Sequence, residues 1–155
     1  MADIVDATTR SRMMSGIKGK NTKPEIWVRK ALTSHGYRYR LHRKDLPGAP
    51  DIVMAGRKII IFVHGCFWHI HKGCALTKLP GTRPEFWATK LVGNAARDEK
   101  SIAALRDKEW RVLVVWECAT RGLSAQASLA EKLVAWIESD LQVGEISASR
   151  PTESR

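Results

Sequence analysis

Apolar positions first recur at helical spacing in TKPEIWVRKALTSHG, where Trp27, Val28, Ala31 and Leu32 share one face. Thr22 and Glu25 form a Thr-x-x-Glu capping box, Pro24 suits the first turn and Gly36 the stop, so Glu25 belongs at a helix N-terminus. The period then changes to two. YRYRL (37–41) alternates as a strand with Arg38 and Arg40 on one face. LPGAPDIVM turns through Pro and Gly into a short strand over 51–54, AGRK reads as a turn, and KIIIFVHG returns as an unbroken apolar strand. This is a hairpin whose second strand is expected at the centre of a sheet. A second capping box, Thr82-x-x-Glu85, opens one or two helices around Gly93. WRVLVVWEC is another buried strand and SLAEKLVAWIESD an amphipathic helix. The order helix, three strands, loop, helix, strand, helix predicts an α/β fold with a mixed sheet covered on both faces.

The flanks differ from this core. Residues 1–21 form a polar, basic arm that nevertheless carries Met13, Met14 and Ile17, which either pack on the domain or touch a ligand. Residues 141–155 show no pattern and are expected to be a disordered tail, leaving 22–140 as the domain. A chain of 155 residues suffices for one domain with its own core. No apolar run approaches a membrane span, and the N-terminus lacks the apolar core of a secretory signal, so a cytoplasmic protein is expected.

Charge narrows the class of partner. The net charge is +10, and residues 1–50 hold eleven Lys/Arg against four Asp/Glu. A basic excess so concentrated points to a polyanion, with nucleic acid the leading candidate.

The densest chemistry is HGCFWHIHKGC, His64 to Cys74, with three of the five histidines and two of the three cysteines. Reduced thiols in a cytoplasm favour metal over disulfide. Cys66, His71 and Cys74, joined by distant Cys118, make a Cys₃His set suited to structural zinc. Only one histidine fits such a shell. His64, His69 and His71 compete for it, and His71 is favoured by its closeness to Cys74. The other two are candidates for acid–base work. A catalytic zinc with three histidines is the less favoured arrangement, because thiolate-rich shells are usually closed. His35 and His42 read as surface histidines.

Pro50-Asp51 before a strand that turns back into IIIFVH outlines the hairpin of PD-(D/E)xK nucleases, in which carboxylates gather Mg²⁺ for phosphodiester cleavage. The second strand has neither the acid nor the lysine. Phe62-Val63-His64 stands there instead, and Glu25 is a candidate for the missing carboxylate.

Taken together, TRSRMM, NTKPE, LPGAPDIV, HGCFWH-H, TRPEFW--K---N--RD and WRVLVVWEC--RG resemble the very-short-patch-repair (Vsr) mismatch endonucleases from about residue 8 to about residue 138. The resemblance implies a restriction-endonuclease-like fold, a structural Zn²⁺, catalytic Mg²⁺, and a nick 5′ of the T in a T·G mispair of double-stranded DNA. It implies Asp51 and the backbone carbonyl of Val63 as Mg²⁺ ligands, His64 and His69 as acid–base groups, and Glu25 as support for one of them. Cys66, His71, Cys74 and Cys118 match its zinc shell. Phe67 and Trp68, with Met14, match a wedge inserted beside the mispair, and Lys90 and Asn94 match contacts to the mismatched bases. A monomer on the nucleoid, with other repair proteins as partners, completes the expectation. Two departures stand out: Val63 replaces the usual Thr, and Lys72-Gly73 lengthens the zinc loop by one residue. The competing reading is a zinc-stabilised DNA-binding module without catalysis, and a weaker one is a restriction-type nuclease cutting paired sites.

Overall fold

The computed structural model describes residues 22–69, 71, 74 and 81–148. The arm at 1–21, with Met14, lies outside them. The elements are α1 (Lys23–Ser34), β1 (Arg40–Leu41), β2 (Ile52–Met54), β3 (Ile59–His64), α2 (Pro84–Asp107), β4 (Arg111–Trp116), α3 (Leu123–Ile137) and β5 (Val143–Ile146). The strands form one mixed sheet in the order β1-β2-β3-β4-β5. The first three are antiparallel neighbours, while β3–β4 and β4–β5 run parallel. β3 is central, as its unbroken apolar run predicts.

Alternation along the strands divides the core in two. Ile52, Met54, Ile59, Ile61, Leu113 and Val115 face α1 and α3, packing on Val28, Leu32, Leu129, Leu133 and Ile137. Val53, Ile60, Phe62, Val112 and Val114 face the other way, onto Leu105 of α2. Each of these buried aliphatic side chains contributes roughly 1.5–3 kcal/mol through removal from water. Both faces are thus sealed by helices, and chemistry is left to the sheet's ends.

Three expectations change. The capping box at Thr22 forms only by half: its hydroxyl accepts the Glu25 N–H at 3.4 Å, while the Glu25 carboxylate binds Arg29 and His42. The box at Thr82 does not form, because α2 starts at Pro84 behind Arg83, whose φ of 53° and lack of a side-chain cap bond set a different entry. The helix then runs through Gly93 without a break.

The third change concerns the tail. Residues 143–146 are a parallel strand on the edge of β4, not disordered chain. Arg111 accounts for this. Its guanidinium lies on the Trp136 ring and donates to the carbonyls of Trp136, Ile137, Ser139 and Leu141, which turns the chain leaving α3 back along the sheet. Gly144 completes the fit, since a Cβ there would collide with the Trp136 indole.

Candidate active site and metal centre

A cleft of ≈ 460 Å³ opens where β3 ends, between the start of α1, the start of β2 and the middle of α2. Glu25, Asp51, Val63, His64, Trp68, His69, Asn94 and Asp98 all line it. It sits at the carboxyl end of the parallel β3–β4 pair, a usual place for ligands in α/β sheets.

Asp51 enters from the residue just before β2, the first strand of the hairpin. One carboxylate oxygen accepts the Val63 N–H at 2.8 Å. Burial pushes its carboxyl up to about 6, the neighbouring Glu25 charge adds to this, and the Val63 N–H opposes it. Glu25, Asp51 and a third residue, His42, present ligand atoms all within 4.8 Å of one another. His42 is therefore a site residue, not the surface histidine its sequence suggests. Crowded, buried carboxylates in a cleft that also holds Asp98 and Glu117, with no lysine or arginine among its described lining residues, fit a divalent cation, which relieves their mutual repulsion.

The strand register bears on Val63. Ile52 opposes Ile61, and the same register carried two residues past the start of β2 sets Pro50 across from Val63. Proline has no N–H, so the ladder supplies the Val63 carbonyl with no donor from that partner. A cation at Asp51 would have a main-chain acceptor there, a group that valine offers as threonine does.

His64 and His69 stack with ring centroids 3.9 Å apart and planes 7° from parallel. Their ligand atoms and one of Asp98 lie within 4.8 Å of one another, but near-parallel stacked rings are poorly aimed at a shared in-plane metal. The pair suits proton transfer. Asp98, on α2, accepts from Nδ1 of His69 at 2.5 Å and lies 4.0 Å from Nε2 of His64. The carboxylate paired with these histidines is thus Asp98, where Glu25 was expected. Glu25, at the start of α1, is taken by His42 and Arg29. Burial, and after it the His69 charge, hold His64 at about 3 against the opposing Asp98 charge, so His64 is neutral at physiological pH. Asp98 is the residue sequence reasoning passed over, although it closes the motif TRPEFW--K---N--RD; its partner lies twenty-nine positions away.

On the far side of Trp116 is the second cluster. Cys66, His71, Cys74 and Cys118 also place their ligand atoms within 4.8 Å of one another. Nδ1 of His71 is 3.4 Å from Sγ of Cys66 and 3.5 Å from Sγ of Cys118. A tetrahedral zinc with Zn–S about 2.3 Å and Zn–N about 2.05 Å has an S···N edge of about 3.6 Å. Those two edges match a zinc shell, the remaining ligand atoms lie within 4.8 Å, and the cysteines form no disulfide. Burial raises the Cys66 thiol, which a bound Zn²⁺ would reverse by taking the thiolate. Cys118 lies in the short 3-10 turn after β4. The loop winds through His69 N–H to Gly65 O and His71 N–H to Cys66 O. That winding sends His69 to the cleft and His71 to the thiols.

Phe67 and Trp68 are half-buried, in ring contact with each other and with Trp87 of α2, which touches exposed Phe86. Asn94 donates to the Trp68 carbonyl at 3.0 Å and accepts from Arg97, bracing this aromatic loop on the helix. Lys90 is exposed one turn away.

The family model for DNA mismatch endonuclease Vsr matches residues 2–76. DNA mismatch endonuclease Vsr of Escherichia coli (strain K12) is 44% identical over 139 residues, 88% of this chain and 88% of that protein. The chain belongs to the Vsr family. Type II nicking enzyme V.XorIIP of Xanthomonas oryzae pv. oryzae is 50% identical over 81% of this chain and 91% of its own length. V.NmeAIP of Neisseria meningitidis, also a type II nicking enzyme, is 39% identical over 86% of this chain. The residues matched by the family model include Glu25, Asp51, His64, His69, Cys66, His71 and Cys74 and end before Asp98 and Cys118. No helix among the described residues is long and apolar enough to cross a membrane.

Proposed function

We propose that the chain is a DNA mismatch endonuclease of restriction-endonuclease-like fold that nicks one strand of duplex DNA 5′ of the T in a T·G mispair. The observation that carries this reading is one cleft holding both a cation-ready carboxylate, Asp51, and a carboxylate-braced histidine pair. Family membership supports the coarser statement, a DNA mismatch endonuclease.

Asp51, the Val63 carbonyl and Glu25 would hold Mg²⁺. Mg²⁺ bound there would offset charge on the scissile phosphate and make the attacking water more acidic. Asp98 fixes Nδ1 of His69 as the donor, leaving Nε2 to take or give a proton at the phosphate. His64, neutral through burial, stacks on His69 without charge repulsion when His69 is protonated and keeps its ring aligned. Both histidines thus serve proton transfer, His69 by carrying the proton and His64 by positioning its carrier. Cys66, His71, Cys74 and Cys118 would hold structural Zn²⁺ and so fix the loop that carries His69, Phe67 and Trp68.

The aromatic loop, backed by Trp87, would enter the base stack as a wedge beside the mispair, together with Met14 of the basic arm. Unstacking costs a few kcal/mol and least at a mispair, so insertion itself favours mismatched DNA. Lys90 and Asn94 would contact the mispaired bases, Asn94 exchanging its bond to Trp68 for one to DNA. A monomer acting on nucleoid DNA with other repair proteins fits this scheme.

One assay tests it: nicking of duplexes carrying T·G, U·G or paired T·A at the same position, with and without Mg²⁺. A single-strand nick at T·G, dependent on Mg²⁺ and absent at T·A, is expected. Equal cutting of paired DNA removes the mismatch claim. Binding without a nick under every divalent ion returns the reading to a zinc-stabilised binding module.

A further inference from the structure

His42 is unusual in three respects. It has φ of 52°, a left-handed conformation that costs a non-glycine residue free energy. Its N–H donates to the Asp51 carbonyl at 2.9 Å, extending the β1–β2 ladder by one residue. Its Nε2 lies 2.6 Å from a carboxylate oxygen of Glu25, whose side chain is only 2% exposed. One residue therefore ties the backbone of one cation-site carboxylate to the side chain of the other. Strain of this kind persists where surrounding contacts demand it, and it concentrates at functional sites.

The same Glu25 oxygen also accepts from Arg29, at 2.5 Å from Nη2 and 3.2 Å from Nε. Arg29 comes from the same helix, one turn on, so it neutralises Glu25 but cannot orient it toward the hairpin. His42 comes from the hairpin itself. Its contact bridges α1 and the start of β2, where Asp51 sits, at the cleft end of the packing of Val28 and Leu32 on Ile52.

We propose that His42 is a positioning residue for the catalytic cation, holding the Glu25 carboxylate beside Asp51 so that both carboxylates serve one divalent ion. The hydrogen bond needs a donor at the Nε2 position rather than an imidazole as such. Glutamine, whose amide nitrogen reaches about as far, should replace it. Glycine should not, although it relaxes the left-handed backbone.

The proposal rests on reading Glu25 and Asp51 as the cation site, and the test separates the two. Binding of Mn²⁺, a paramagnetic substitute for Mg²⁺, is followed by loss of the free-ion electron paramagnetic resonance signal in the zinc-loaded full chain. Asp51→Ala tests the site: unchanged Mn²⁺ affinity in that variant overturns the cation-site reading itself. With Asp51 shown to matter, His42→Gly is expected to weaken Mn²⁺ binding roughly tenfold, as loss of a charge-assisted hydrogen bond implies. His42→Gln should come within about twofold of the parent. Zinc content, melting temperature and duplex affinity in the absence of Mn²⁺ should stay at parent values in His42→Gln. In nicking assays the Mg²⁺ midpoint should rise in His42→Gly while the rate at saturating Mg²⁺ recovers. Parent-like Mn²⁺ affinity in His42→Gly overturns the proposal. Equal weakening in the glycine and glutamine variants also overturns it, since the imidazole would then act as more than a donor.

Discussion

The Cys66–His71–Cys74–Cys118 cluster and the Glu25–His42–Asp51 cluster are equally compact, each with its ligand atoms within 4.8 Å. Their chemistry differs. The first is three thiols and an imidazole, a soft set that closes around zinc and leaves no position for substrate. The second is two carboxylates and an imidazole opening into the cleft, a hard set that leaves room for water and phosphate. Trp116 stands between the two regions. Its indole stacks on His71 with centroids 4.2 Å apart and meets the His64 ring edge-on at 5.3 Å. In the proposed function the thiol cluster would fix a loop, and the oxygen-rich cluster would work with the His69 that loop presents. Compactness alone does not distinguish a structural site from a reactive one; ligand softness and access do.

That division of labour can be broken in graded steps. Asp51→Ala should cut the nicking rate by about 10⁴-fold, because the cation's main ligand is gone, while zinc measured by mass spectrometry stays at one per chain. Loss of zinc together with activity would merge the two sites. Cys118→Ala should do the opposite, losing zinc and about 4 kcal/mol of stability in denaturant unfolding. Stability unchanged by zinc loss would deny the cluster its structural role.

Asp98→Asn should lower the nicking rate by about a hundredfold through loss of the His69 partner, and move the acidic limb of its pH profile. A profile of unchanged shape would show that Asp98 does not act through His69. The smallest effect concerns stability without Mg²⁺. The Asp51 carboxyl holds its proton up to about pH 6 when folded, against 3.8 as its ordinary value. Its favourable contribution is complete below about pH 4 and is lost as pH rises through 6. Asp51→Asn should therefore stabilise the Mg²⁺-free protein by about 2 kcal/mol at pH 8, and by little at pH 4. Denaturant unfolding at the two pH values checks it, and equal gains at both would mean the carboxylate is not strained by burial.

Much of the sheet is legible in the chain because burial writes itself into hydrophobic runs. IIIFV and VLVV could only be interior strands, and the turn AGRK could only join two neighbours. The edge strand Val143–Ile146 left no such trace. It is short, carries a glycine and owes its place to Arg111, more than thirty positions back, and to Trp136 at the end of α3. The helix start at Pro84 was similarly obscured, because Thr82-x-x-Glu85 satisfies a local rule that the left-handed Arg83 overrides.

The candidate site divides in the same way. The residue types that chemistry requires were present in the sequence: Asp51 at a hairpin entry, three cysteines with a nearby histidine, and two histidines to spare. What each histidine does was not. His71 was separated from His69 by the winding of one loop, His69 was paired by a carboxylate from α2, and His42 was brought in by a single left-handed residue. Local sequence determined the elements and the inventory of ligands, because periodicity and side-chain chemistry are properties of short stretches. Only the tertiary structure decided which carboxylate meets which imidazole, because those pairings cross from helix to hairpin and from loop to helix, and no short stretch contains both partners.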